Sequence, residues 1–295
     1  MAPGSSAGVS AAWSLYRQCA ATSRFHKAQL ELFTKIGLWL GILAAAIGTV
    51  SQYVPASVIN PKIPGVVGSL LLAFAGAAGT YALAGNRDQL WLKCRAAGEA
   101  LKSSVYLYCA GVPPFDTPNR TEALGQRVEK ALKDLQGLAL RPGKMDNPPG
   151  ALTVAEYLTV RVDDQINWYT NSFNNYQKKA DFWRFMALAG TCASLILGGI
   201  SAIASLSPWI ALLATVTTSV TAFVKNQRYE AMIGLYQATA MRLQMLKDQW
   251  TDSGKTEADT ADRDSLIQRC EETMSLENGA WMAQWSQQPN QAAGS

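Results

Sequence analysis

Residues 185–224 read FMALAGTCASLILGGISAIASLSPWIALLATVTTSVTAFV, forty positions without one charged side chain. Elsewhere the chain is ordinary in this respect, with Asp, Glu, Lys and Arg making up 16% of all residues. A helix of roughly 20 apolar residues spans the hydrocarbon core of a bilayer. The stretch therefore has room for two spans, near 185–207 and 209–224, folded at Ser205-Leu206-Ser207-Pro208. Proline lacks an N–H and disfavours helix at the residue before it, which suits a hairpin tip. Ile36–Pro61 and Ile63–Asn86 are also uncharged and hold two more spans, about 36–54 and 64–85, with Lys62 between them. The expectation is an all-α integral membrane protein with four transmembrane helices in two hairpins. A soluble bundle with very apolar core helices is the alternative, and a mean hydropathy of 0.00 allows it. Yet the apolar residues are gathered into blocks, and a buried soluble helix as long as 185–207 would show charge along one face.

Lysine and arginine near span ends set orientation. Arg17, Arg24, Lys27 and Lys35 precede the first span, and Arg87, Lys93, Arg95 and Lys102 follow the second. Lys178, Lys179 and Arg184 precede the third, and Lys225 and Arg228 follow the fourth. The tips hold only Lys62. Both termini and the 103–158 connection are thus expected in the cytoplasm, and the tips outside. Trp39 and Trp183 would lie at the cytoplasmic edge and Trp209 at the outer one. The first apolar run starts only at residue 36, so no cleavable signal is expected, and residues 1–12 read as a disordered Gly/Ala/Ser tail.

The five cysteines (19, 94, 109, 192 and 270) form no CxxC, and His26 is the single histidine. No metal site and no cofactor are expected from such a set. The net charge of +4 is modest and gathers beside span ends, which calls for lipid headgroups rather than a nucleic-acid partner. An enzyme is not expected either. General acid–base chemistry needs a titratable group poised in a cleft, His26 has no evident partner, and Asp163 and Asp164 point in different directions on a helix.

The chain reads as a doubled unit in parallel orientation. Residues 13–109 and 153–250 share one plan: a cytoplasmic helix, a membrane hairpin and a returning cytoplasmic helix. Small residues recur at Gly37, Gly41 and Ala45 in the first span and at Ser194, Gly198 and Ala202 in the third. Such spacing lets helix backbones approach closely in lipid. Thr153-Val-Ala-Glu156 forms a capping box, and Val162, Ile166, Tyr169, Phe173, Tyr176 and Trp183 make a coiled-coil-like seam running into the third span. A helix over 154–206 would be about 80 Å long at about 1.5 Å per residue, so long helices are expected to extend into a cytoplasmic helical bundle. Further stripes run along Leu90–Tyr108 and Met232–Trp250. Residues 110–152 form a linker with a short helix near 120–138, and residues 251–295 an acidic loop and a C-terminal helix near 262–285 that docks through Trp281 and Trp285.

Three segments are similar to the SLATT / DUF4231 family of membrane proteins: Val162-Asp-Asp-Gln-Ile-Asn-Trp-Tyr, Trp91-Leu-Lys-Cys-Arg-Ala-Ala-Gly-Glu-Ala-Leu-Lys, and Glu272 with Glu277-Asn-Gly-Ala-Trp281. The resemblance implies two SLATT-like units in tandem, each with two membrane helices flanked by cytoplasmic ones. It also implies a bacterial effector that forms oligomeric pores in conflict systems, with any sensor or signalling protein separate. The second copy departs from the first, since the positions of Trp91 and Arg95 are taken by Met232 and Tyr236.

The fourth span carries five hydroxyls in seven residues, among them Thr217, Thr218 and Thr221, with Lys225 below them. Such a stripe either lines a water-filled pore or bonds carbonyls one turn back and glues neighbouring helices. Two function classes follow. One is an oligomeric channel or pore-forming effector, a homo-oligomer in the plasma (inner) membrane. The other is a membrane-anchored scaffold whose cytoplasmic bundle binds a partner protein.

Overall fold

A computed structural model describes residues 7–55, 57–58, 60, 62–83, 87–200 and 207–286. The order is α1 (Ala7–Ser51), α2 (Lys62–Leu83), α3 (Arg87–Ala110), α4 (Arg120–Asp134), α5 (Val154–Tyr157), a π-helical turn (Leu158–Asp163), α6 (Asp164–Ile200), α7 (Ser207–Gln227), α8 (Tyr229–Asp252) and α9 (Thr260–Ser286). Among the described residues there is no strand. Helix limits follow local chemistry. No proline falls inside α1, which stops short of Pro55; Pro64 and Pro208 sit in the first turns of α2 and α7, where no intrahelical N–H bond is lost. Thr153 and Glu156 form the expected capping box. Gly111 ends α3 at φ +65. Arg228, at φ 51, breaks α7 from α8 in a conformation that side-chain-bearing residues rarely adopt.

The expected 1–12 tail is corrected over 7–12, where α1 begins at Ala7 and Val9 and Ala12 are 2% and 0% exposed; residues 1–6 lie outside the described residues. Alanine is the best helix former, so this stretch becomes a packed first turn. The linker helix is shorter than expected, ending at Asp134. Ala202 and the 205–206 tip lie outside the described residues.

Two compact units divide the chain, and they cut across the repeat. One comprises Ala28–Arg87 and Asn175–Glu230. The helices that supply it include four stretches long and apolar enough to cross a membrane. Its apolar side chains point outward: Trp39, Leu43, Leu70, Phe74, Leu195 and Ile196 are all exposed. A surface of that kind is stable against lipid and not against water. Within this unit the helices meet through small residues. A Cβ on Gly37 would lie 3.4 Å from the Ala75 carbonyl oxygen, and one on Gly68 would lie 3.8 Å from that of Ala44. Tyr53 and Trp209, at the tip ends of the two hairpins, stack with ring centroids 5.9 Å apart.

The small-residue stripes are only partly used. Gly37 is in close contact and Ala45 is half-buried, while Gly41 has nothing within 4 Å of a would-be Cβ. On α6, Ser194 is half-buried, but Gly198 is exposed and a would-be Cβ there meets nothing within 4 Å. Positions four apart drift around a helix of 3.6 residues per turn, so one crossing uses one or two of them. The tight crossing in the second hairpin is instead at Gly190, where a Cβ would sit 2.5 Å from the Thr217 hydroxyl oxygen. Gly190→Val should therefore lower thermal stability by about 1–3 kcal/mol through overpacking. Adding Thr217→Ala should recover part of the loss, as read from unfolding of the detergent-solubilised protein.

The other unit takes the chain through Lys27, Asp88–Asn174 and the part from Ala231 on. Its core is conventional. Cys94, Leu101 and Val105 of α3 and Met232, Tyr236, Leu243 and Leu246 of α8 are buried, along the two stripes read from the sequence. Trp281 is fully buried, so α9 docks through it; the Trp285 side chain lies outside the described residues. The seam before the third span is narrower than expected. Val162 and Tyr169 are buried, but Ile166, Phe173, Tyr176 and Trp183 are half-buried. The π-helical turn shifts the phase of the helix, and Arg161 and Gln165 take buried positions that a continuous seam would have left outside.

Candidate functional site

The segments quoted for the family resemblance meet in space. The rings of Trp91 on α3 and Trp281 on α9 pack edge to face, with centroids 4.8 Å apart. The Arg95 guanidinium lies 3.9 Å from the centre of the Trp281 ring. Arg95 also donates to Asn278 Oδ1 at 3.3 Å and to Glu277 Oε1 at 3.5 Å. Tyr169 of α6 donates to the other Glu277 oxygen at 3.1 Å. Arg95 belongs one helical turn from Trp91, and Asn278 and Trp281 are three apart, so two helix faces present matching sets. Burial pushes the Glu277 carboxyl up, against the opposing effects of Arg95 and of the tyrosine bond. The arrangement clasps α9 to α3 and α6. Residues Trp91 and Arg95 belong to the first copy, and Met232 and Tyr236, at the matching positions of the second, are simply core residues.

A second buried ion pair escaped the sequence reading. Arg161, in the π-helical turn, donates through Nε to Glu271 Oε1 at 2.8 Å and through Nη2 to Oε2 at 2.9 Å. Tyr157 adds a bond to Oε1 at 3.0 Å, and the guanidinium stands 4.7 Å from the centre of the Tyr106 ring. Burial alone would raise the Glu271 carboxyl, but the Arg161 charge and the bonds from Arg161, Ser103 and Tyr157 hold it below the ordinary range. Burial would equally lower the arginine, and Glu271 outweighs it. Nothing in Thr159-Val-Arg-Val-Asp163 marks its arginine as buried, because a regular helix would have placed it beside the seam. Asp163 and Asp164, read as solvated, divide: Asp163 accepts from Lys247 Nζ at 2.5 Å, and Asp164 stays exposed.

Neither cluster contains an activated nucleophile. The Cys19 thiol is pushed up to about 12 by burial and then by Cys94, and Cys270 to about 12 by burial and then by Glu271. Cys94 is raised to about 11 by burial. Thiols held this high stay protonated and unreactive.

In the membrane unit the hydroxyl stripe of α7 separates into two faces. Thr217 turns toward Gly190 of α6 and is half-buried, whereas Thr218 and Thr221 are exposed. Adjacent helical positions lie about 100° apart, which accounts for the split from Thr218. Thr218, Thr221 and Lys225 are exposed, on a face completed by Ala211, Ala214, Thr215 and Ala222. Thr215 and Thr221 direct their hydroxyl protons to the carbonyls one turn back, at 2.9 and 2.8 Å. Each hydroxyl oxygen keeps its lone pairs, so the face remains polar. Among the described residues of α7 no large apolar side chain is exposed, in contrast to α1, α2 and α6.

Residues 14–155 match the family described as SMODS and SLOG-associating 2TM effector domain 3. Residues 157–281 match SMODS and SLOG-associating 2TM effector domain 1. No curated protein and no solved structure matches the chain. The first matched region takes in the linker and α4, and the second takes in α9 with its Trp91–Trp281 contact to the first. The two regions together run from the first buried helix to the clasp, with two candidate spans in each. The chain therefore belongs to the SLATT family, as a multi-pass membrane protein made of two SLATT effector domains in tandem.

Proposed function

We propose that this effector assembles as a homo-oligomer and opens a pore in the plasma membrane, with the exposed face of α7 toward the conducting path. The observation that carries the reading is the composition of that face. Ala211, Ala214, Thr215, Thr218, Thr221, Ala222 and Lys225 offer lipid little to bind, whereas the outward faces of the other spans are built of leucine, isoleucine and phenylalanine. Small and hydroxylated side chains suit close contact with a second copy or with water. Closed rotational symmetry would repeat one interface around an axis and leave none open, placing a ring of Lys225 at one mouth. The proposed activity is conduction and includes no catalytic step. Purified protein in planar bilayers should pass current. Silence from a protein that reconstitutes as a stable monomer would replace this reading with that of a membrane-anchored scaffold.

The proposed orientation has both termini in the cytoplasm, supported by the lysine and arginine excess beside the open ends of both hairpins. In a cysteine-free background, cysteine at Ser57 should react with an impermeant maleimide added outside intact cells. Cysteine at Ser253 should react only after the membrane is opened. Labelling of both positions from outside would overturn the orientation.

A further inference from the structure

We propose that a cavity among α1, α3, α6 and α9 binds a small organic anion that carries a flat ring, with Lys102 as the anion contact and Trp168 as the ring contact. The cavity measures about 260 Å³ and lies wholly within the unit that holds the clasp. That volume is near the small end of sites for organic ligands, which run from about 300 Å³ upward.

The charge pattern of the walls points to an anion. Arg17, Arg24, Arg95 and Lys102 line the cavity against Glu99, Asp164 and Glu277, an excess of cations. Two of the cations are already satisfied. Arg17 is held by Asp146, and Arg95 by Glu277 and the Trp281 ring. Lys102 differs. Among the described residues no carboxylate lies within 4.0 Å of its ammonium; Glu99, Asp164 and Glu271 attract it from farther off, and the Tyr16 ring is 5.7 Å away. Burial, and then the Arg161 charge, lower it to about 8, so its ammonium is still the main form at neutral pH. A cation partly withdrawn from water with no carboxylate in direct contact is costly, and a ligand acid group entering the cavity would supply that contact. Arg24, exposed at the rim, also makes no ion pair among the described residues and adds attraction for an incoming anion.

The aromatic part of the wall points to a ring. Trp168 is 43% exposed, whereas Trp91 on α3 and Trp281 on α9 are buried. It meets Tyr169 and Tyr236 edge to face, with centroids 5.0 and 5.5 Å away, and is stacked on no ring among the described residues. A half-exposed indole and an ammonium with no carboxylate in contact, lining one cavity, are a suitable pair of contacts for an aromatic acid. Glu99, which also makes no ion pair among the described residues, can accept from a hydroxyl or amine on such a ligand. Gly98 contributes by closeness: a Cβ there would lie 3.1 Å from the Cys19 Cβ, so the cavity wall is tightly packed at that point.

The test is calorimetric titration of the full chain in nanodiscs with phenyl phosphate and benzoate, using inorganic phosphate and benzyl alcohol as probes that lack the ring or the charge. At least one ring-bearing anion should bind saturably at one site per chain, and both controls about tenfold or more weaker. Lys102→Met should weaken binding about tenfold, the usual scale for one charged hydrogen bond, while Lys102→Arg should retain it. Trp168→Ala should weaken the ring-bearing anions and leave inorganic phosphate unchanged; this exposed position keeps the test available if Lys102→Met does not fold. The proposal is overturned if neither anion binds saturably to the unmodified chain. Equal affinity in the unmodified, Trp168→Ala and Arg24→Ala chains would also overturn it, by placing the bound anion elsewhere.

Discussion

Replacing Glu271 with alanine should destabilise the protein by about 3–5 kcal/mol, the scale for leaving one member of a buried ion pair without its partner. The reason is the position of Arg161, 1% exposed, with Nε and Nη2 both directed at the carboxylate. Without Glu271 the guanidinium keeps its charge, because arginine does not deprotonate in proteins, and loses both of its bonds to the carboxylate in a buried position. The double change Arg161→Met with Glu271→Leu should recover most of the loss, since well-packed apolar residues often replace a buried pair at little cost. Thermal unfolding of the solubilised protein checks both. If the single variant unfolds like the unmodified chain, the pair is not buried as described. The same contact has a pH signature. Glu271 is held below its ordinary value in the folded state, so its contribution to stability is fully present above the unfolded carboxyl range, near 4.3. That contribution should fade as pH falls through the lower, folded value. The stability difference between the unmodified chain and Glu271→Gln should therefore be constant above about pH 4.3 and shrink as pH falls below it.

Changing Lys225 to glutamate should reverse the charge at one mouth of the proposed pore. With the native lysines the ring raises local anion concentration, and with glutamates it raises that of cations. Reversal potentials under a salt gradient should shift toward cation preference in planar bilayers. Thr218→Leu should narrow or dewet the path and lower single-channel current, since apolar constrictions exclude water from narrow pores. Thr217 serves as the internal contrast. It packs against Gly190 rather than facing outward, so Thr217→Ser should leave selectivity as it was. Current that none of the outward-facing substitutions alters would move the path to another helix.

Charge-free blocks longer than a bilayer is thick, interrupted at Lys62 and Pro208, were sufficient on their own to identify the class and the four spans, because a lipid solvent acts on composition over twenty residues rather than on any one contact. The tandem plan was equally legible, since a repeated order of polar and apolar segments survives when individual residues diverge. Thr153 and Glu156 announced their capping box because both partners lie within a single turn. Tertiary structure decided what depends on rotation about a helix axis and on partners far along the chain. It turned Thr217 inward and Thr218 outward, used Gly37 while leaving Gly198 exposed, and made a first helical turn of residues read as a tail. It also placed Arg161 opposite Glu271, 110 residues away, through a π-helical turn that no local pattern foretold. Long-range pairs of that kind are selected by packing between helices, where a phase change of one residue moves a charge from the surface into the core.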